Sequence, residues 1–403
     1  MIKILYVSAS CSEKVLDYIY ETSINKPEQA AQKFHRLLTK GFAMNNEQCS
    51  IETLSTLPVV PSNHKRKIWN LASETIKGLK FSYIPFINLP YIKNAGIFCY
   101  TFLKVFLRTL LIHKKNKVVI CDVLNLTVAL ASFWATRLTN TTCVAIVTDL
   151  PGLMVTGSRD KDNTTTSLYH KIVSKMMTGF DRYILLTEQM NPVVNPKGKP
   201  YLIMEGLVDL EMEKSTNILE RKNIKKTLIY AGGLYAKYGV KNLIEAFMLL
   251  DDQNTELHLY GSGELVEEMD TYLQKDPRIH FKGMVPNKIV VQDQLAATLL
   301  INPRPTNEEF TKFSFPSKNM EYMVSGTPMI TTQLPGMPKE YHPYVFLFEG
   351  ESVEGMKNSL KNILSKSKEE LHQFGQEAKK FVLTNKNNQI QAHRILQFLK
   401  ENT

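Results

Sequence analysis

The sequence predicts an α/β protein built from two doubly wound parallel sheets. Three observations carry that expectation. Short runs rich in Val, Ile, Leu and Tyr alternate with amphipathic stretches from one end of the chain to the other, the pattern of parallel strands joined through helices. At 403 residues the chain exceeds one ordinary domain. The rhythm lapses between Glu205 and Lys226, where charges cluster in "LEMEKSTNILERKNIKK", and then restarts. A first domain is therefore expected at 1–207 and a second at 208–386. Facing each other, two such sheets would line a cleft with the carboxyl ends of their strands.

In the first half the expected strands are "KILYVS", "CSIETLS", "FSYIPFI", "KVVICD", "CVAIVTD", "RYILLT" and "PYLIME". A helix after the first strand is announced by "NKPEQAAQKFHRLLTKGFAMN". Pro27 suits its first turn, Glu28 suits the positive end of its dipole, and Ala31, Phe34, Leu37 and Leu38 keep helical spacing. In the second half the strands are "TLIYAGG", "ELHLYGSG", "IHFKG", "TLLINPR", "TPMITT" and "YVFLFEG". From Ser365 the chain reads as helix, interrupted around Thr384 to Asn388.

A hydrophobic fraction of 43% and a charged fraction of 22% fit a soluble globular protein and exclude disordered, fibrous and disulfide-dense classes. Cys11, Cys49, Cys99, Cys121 and Cys143 are scattered without CxxC spacing, which points to a reducing cytosol. The start "MIKILYVSAS" reads as a first strand and not as a signal peptide, so a cytoplasmic location is expected. A net charge of +10 suits an anionic partner: phosphate groups, anionic lipid or nucleic acid. The nine histidines form no HExxH or other spaced ligand set, and no DxD-like pair ends a strand, so no metal or other cofactor is expected.

The stretch "FSFPSKNMEYMVSGTPMI", Phe313 to Ile330, reads as a short helix between two parallel strands. Pro316 and Ser317 suit its entry, with Ser317 as a cap, and "SGTP" ends it. First-turn amides and the helix dipole favour an anion there by roughly 0.3–1 kcal/mol, and Lys318 adds a direct charge. Glu321, one turn on, either accepts hydrogen bonds from ribose hydroxyls or pairs locally. "IYAGGLYAKYGVKNLIEAF" offers a glycine pair at a strand end, Gly232 and Gly233, with Lys237 and Lys241 to neutralise charge. A tight turn explains the same glycines equally well.

Together these segments resemble the donor-binding half of the retaining GT-B glycosyltransferases of family 4, which includes many enzymes of bacterial capsule, exopolysaccharide and lipopolysaccharide synthesis. The likeness is close over Thr227 to Tyr341, and the two Rossmann-like sheets extend it to nearly the whole chain. It implies a sugar transferred with retention from a nucleoside-diphosphate sugar to a saccharide acceptor, lipid-linked by expectation. It implies that Gly232, Gly233 and Lys237 hold the diphosphate with Lys318, that Met284 and Val285 of "KGMVPNK" contact the base, and that Glu321 binds ribose. It also implies that the helix 387–403 packs back on the first domain, and that Asp149 of "AIVTDLPG" approaches the sugar. A turn before Pro-Gly accounts for Asp149 as well. Two departures stand out. Family spacing places Phe313 where a first glutamate is usual, leaving Glu308 or Glu309 to supply that carboxylate, and Gly233 stands where a basic residue is common.

"NLPYIKNAGIFCYTFLKVFLRTLLIHKKNK", 88–117, has no acidic residue and carries Lys93, Lys104, Arg108, Lys114, Lys115 and Lys117. It reads as a basic amphipathic helix suited to the membrane surface, or as a packed helix with a solvated basic edge. Two alternatives stand beside this reading: a nucleotide-sugar epimerase of the same fold, for which the sequence lacks the expected gathering of carboxylates and a histidine, and a noncatalytic anion- or nucleic-acid-binding scaffold drawing on the positive charge. Nucleic acid is not expected, because the aromatics lie within apolar runs and are not interleaved with basic surface.

Overall fold

The computed structural model describes residues 1–27, 30–111, 117–150 and 175–401. They form two compact units, Met1–Leu207 with Asn388–Thr403, and Val208–Asn387. The first contains, in chain order, β1 (Ile2–Ser8), α1 (Glu13–Thr22), α2 (Ala30–Met44), β2 (Cys49–Ser55), β3 (Ile68–Trp69), β4 (Glu74–Ile76), β5 (Leu79–Tyr83), β6 (Phe86–Ile87), α3 (Ile92–Leu111), β7 (Lys117–Asp122), α4 (Leu126–Leu138), β8 (Thr142–Val147), β9 (Arg182–Leu185), α5 (Asn191–Val194) and β10 (Tyr201–Ile203). Its main sheet runs β10-β9-β8-β7-β1-β2-β5-β4 and is parallel except for the β4–β5 pair.

The run "FSYIPFI" divides between β5 and β6. Pro85 has no amide to continue a ladder, and β6 leaves the sheet to pair antiparallel with β3. Glu28 and the basic tail with Lys114 and Lys115 lie outside the described residues, as do Pro151 and Gly152.

The second unit contains β11 (Lys226–Ala231), α6 (Val240–Met248), β12 (Thr255–Tyr260), α7 (Met269–Lys275), β13 (Ile279–Gly283), α8 (Asn287–Ala296), β14 (Leu299–Asn302), α9 (Ser317–Ser325), β15 (Met329–Thr331), β16 (Phe346–Leu347), α10 (Val353–Leu364) and α11 (Lys368–Asn385). Its sheet is parallel throughout, in the order β13-β12-β11-β14-β15-β16. Alternate residues of β11 feed opposite cores, as burial on both faces of a parallel sheet requires. Leu228 and Tyr230 join Leu243, Phe247 and Leu360 on one face, while Ile229 joins Met320, Tyr322 and Ala378 on the other.

The chain ends in α12 (Asn388–Glu401), which belongs to the first unit. Ala392, Ile395 and Leu396 of α12 share a core cluster with Leu37, Leu38 and Phe42 of α2. Close approach depends on Gly41, where a Cβ would lie 2.0 Å from the carbonyl oxygen of Asn388. Asn388 also donates to the carbonyl of Leu37 at 3.3 Å, and Gln391 to that of Gly206 at 2.7 Å. Gly41→Ala is expected to lower unfolding stability by about 1–3 kcal/mol, the usual cost of overpacking, although alanine is the better helix former. Urea denaturation checks this; a midpoint at or above wild type would show that α12 yields freely.

Candidate functional site

In a doubly wound sheet the connections part in opposite directions at the point where strand order reverses, leaving a crevice at the carboxyl ends. Here that point falls between β11 and β14. β11 runs out into Gly232 and Gly233, and β14 into Pro303 and Arg304. The two exits touch at Gly239, whose φ of 76° suits glycine. A Cβ there would lie 2.0 Å from the carbonyl oxygen of Pro303.

Lys318, in the first turn of α9, reaches into this junction. A Cβ on Gly232 would fall 1.4 Å from its ammonium nitrogen, so the glycine makes the room that the lysine fills. The ammonium donates to the Tyr230 hydroxyl at 3.3 Å and lies 4.6 Å from that ring's centroid. Tyr230 in turn donates to the carbonyl of Gly233 at 2.7 Å. One helical turn after Lys318, the hydroxyl of Tyr322 accepts from the amide of Ala231 at 2.9 Å. The short helix is thus pinned to the end of β11 by both residues.

Two more cations gather on an aromatic scaffold nearby. Arg304 lies 4.8 Å from the Tyr238 ring and 5.3 Å from that of Phe310. Lys237 lies 5.6 Å from the Tyr238 ring and 5.8 Å from that of Tyr235. Burial first, and then the charge of Arg304, lower the Lys318 pKa to about 7, while Glu321 opposes the shift. A glycine-lined junction with enclosed positive charge and a helix N-terminus suits a diphosphate. The neighbouring loops are linked through the main chain: Leu234 donates to the carbonyl of Ser262 at 2.9 Å, and Gly261 to that of Gly283 at 2.9 Å. The Ser262 hydroxyl meets the Met284 sulfur at 3.4 Å.

Residues 211–381 match the family described as Glycosyl transferases group 1. That match spans most of the second unit, Val208–Asn387. Among solved structures, sucrose-phosphate synthase from Thermosynechococcus elongatus aligns over 100% of this chain and 99% of its own, at 14% identity and a TM-score of 0.66. HepE from Anabaena, solved with UDP, aligns over 99% and 100%, at 12% identity and 0.62. The lipopolysaccharide outer core galactosyltransferase WaaB aligns over 100% of both chains, at 15% identity and 0.60. These likenesses give the whole chain the GT-B fold. No curated protein matches the sequence.

The structure brings together Gly232, Gly233 and Lys318, with Lys237 on the adjoining turn. Pro316, and not Ser317, is the N-cap of α9; Ser317 is its first residue, and no side-chain hydrogen bond caps the helix. Proline has no amide and sets the extended backbone from which a helix starts, so it takes the place expected of the serine. Glu321 is half-buried on α9. Glu308 and Glu309 head the 3-10 turn Glu309–Phe313, which also carries the half-buried Phe313. Lys241 engages Glu268 at 3.6 Å on the flank of α6. Met284 is exposed and Val285 packs against the core beneath it. In the first unit, the Asp149 carboxylate accepts from the amide of Leu150 at 2.8 Å.

Sequence reasoning missed Arg304 and the hydroxyl of Tyr230. Both were within reach: an arginine directly after "LLINP" at a strand exit, and a tyrosine two residues before a glycine pair. A lysine lowered to about 7 gives a pH signature. Free enzyme loses the ammonium above about pH 7, and a bound diphosphate restores it, so binding takes up a proton there. Affinity for a nucleoside-diphosphate sugar is expected to fall as pH rises from about 7, by up to roughly tenfold per pH unit, because one pKa unit corresponds to 1.36 kcal/mol. Calorimetry between pH 6.5 and 8.5 measures it; a flat profile would remove Lys318 from the diphosphate.

Proposed function

We propose that the enzyme holds the donor diphosphate at the β11–β14 junction and transfers the sugar to a lipid-linked saccharide during assembly of a surface polysaccharide. The observation that carries this reading is the Lys318 ammonium resting on the bare Cα of Gly232. In the transfer, the bond between the anomeric carbon and the diphosphate breaks, charge collects on the leaving diphosphate, and a new bond forms to the oxygen of an acceptor hydroxyl, whose proton passes to the leaving diphosphate. Lys318, Arg304 and Lys237 supply preorganised positive charge for that leaving group. HepE is described in complex with UDP-glucose and WaaB as a lipopolysaccharide galactosyltransferase. Those descriptions make uridine the first base to try and glycan assembly the first setting.

Calorimetric titration with UDP, ADP, GDP and their sugars tests the donor site. One base is expected to bind, and Lys318→Met is expected to weaken it about 10–100-fold, the value of a charged hydrogen bond of 1.5–3 kcal/mol. Equal affinity in the variant would remove Lys318 from the mechanism, and no binding across the panel would overturn the donor site.

We further propose that α3 and α4 seat the enzyme on a membrane. Ile97, Thr101, Val105 and Thr109 form the buried line of α3. Leu103, Leu107, Leu110 and Leu111 stay exposed, beside Trp134 and Leu138 of α4. By length and composition α3 could cross a bilayer, but its buried line supports a helix lying on the surface. The basic residues contribute less than the sequence suggests. Lys93 donates to the carbonyl of Val59, Lys117 to that of Thr109, and Arg108 to Glu52. Each leucine buried in lipid is worth roughly 1.5–3 kcal/mol, against about 1 kcal/mol for a cation near an anionic surface. The apolar face therefore dominates. Wild type is expected to sediment with phosphatidylcholine vesicles, more so with anionic lipid added, and Leu103→Glu with Leu107→Glu is expected to release it. Failure of wild type to sediment with either vesicle would sink the idea.

A further inference from the structure

The amino end of the second sheet carries a group that the sugar-transfer reading does not use. Glu256 and His258 of β12 alternate with Leu257 and Leu259, which enter the apolar core. They therefore project from the opposite face. His280 of β13 stands directly beside His258 in the parallel register, with its neighbour Ile279 in the same core as the leucines. The three side chains meet on that face. The His258 Nε2 lies 3.4 Å from one Glu256 oxygen, the His280 Nε2 lies 3.6 Å from the other, and the two imidazoles stand edge to face at 5.0 Å. One ligand atom from each falls within 4.8 Å of the others.

We propose that Glu256, His258 and His280 bind a divalent transition metal, Zn2+ by preference, with water completing the coordination. Ligand atoms around tetrahedral Zn2+ at 2.0–2.1 Å stand roughly 3.3 Å apart, so small side-chain rotations close the set. Two imidazoles and a carboxylate favour Zn2+, Ni2+ or Cu2+ over Mg2+ and Ca2+. Lys225, about half exposed, donates to Glu256 at 2.7 Å. It serves as the outer partner that orients a ligating carboxylate.

The place sets the role. Glu256 lies level with Thr227, near the amino end of β11, whereas Gly232 follows that strand's carboxyl end. β13 is the edge strand, and β12 is its partner in the sheet. A metal there ties the edge strand to the sheet, stabilises the domain and leaves the chemistry alone. The sequence hides this set because His280 joins Glu256 and His258 by strand register and not by chain spacing.

The test uses the full-length protein, stripped with a chelator, dialysed and titrated with Zn2+ against a chromophoric competitor. One equivalent is expected to bind, and Glu256→Gln and His280→Asn are each expected to weaken it at least about tenfold. His280 is partly exposed, so its replacement should fold, and an unchanged circular dichroism spectrum checks that. Co2+ in place of Zn2+ should give the visible absorption of a four-coordinate site, lost in His280→Asn. Absence of stoichiometric Zn2+ in wild type, or a variant that binds Zn2+ and Co2+ as wild type does, would overturn the proposal. Nucleoside-diphosphate affinity, measured alongside, is expected to stay within about twofold in both variants.

Discussion

Lys318 can reach Tyr230 only across the bare Cα of Gly232, and much of the second unit follows from that contact. It fixes where the first turn of α9 lies, and Tyr322 fixes the second turn by accepting from Ala231. α9 is only nine residues long, too short to be stable alone, so its position comes from these anchors and its apolar face. Met320, Tyr322 and Met323 supply that face. The helix in turn delivers a lysine to the place where β11 and β14 diverge. Topology creates the crevice, a missing side chain opens it, and a side chain from another element charges it.

That charge is held under strain of a useful kind. An ammonium enclosed beside Arg304 is disfavoured until an anion arrives. The aromatic faces of Tyr230, Tyr238 and Phe310 hold the Lys318 and Arg304 cations close to the junction. This is preorganisation of the sort that stabilises a departing diphosphate.

The alternation of strand and helix was legible because parallel sheets bury both faces and so write continuous apolar runs into the sequence. All thirteen stretches quoted as strands fall on strands. β3 and β4 escaped notice, being two and three residues long with no period to detect. The candidate site was half legible. Glycines at a strand end and a lysine after proline mark themselves, but Arg304 and Tyr230 matter through contacts 88 residues apart, such as that from Lys318 to Tyr230. Ser317 was misplaced by one position because serine and proline both suit a helix entry and only the backbone decides. The basic stretch 88–117 shows the opposite error: charge counted from sequence overlooks that Lys93 and Lys117 turn inward to backbone carbonyls.

The most direct measurement is a crystal structure of the protein with a nucleoside diphosphate bound. The account predicts phosphate oxygens within hydrogen-bonding distance of the Lys318 ammonium, beside Gly232 and Gly233, with Arg304 turned toward them. A diphosphate bound elsewhere, with Lys318 still resting on Tyr230, would contradict it.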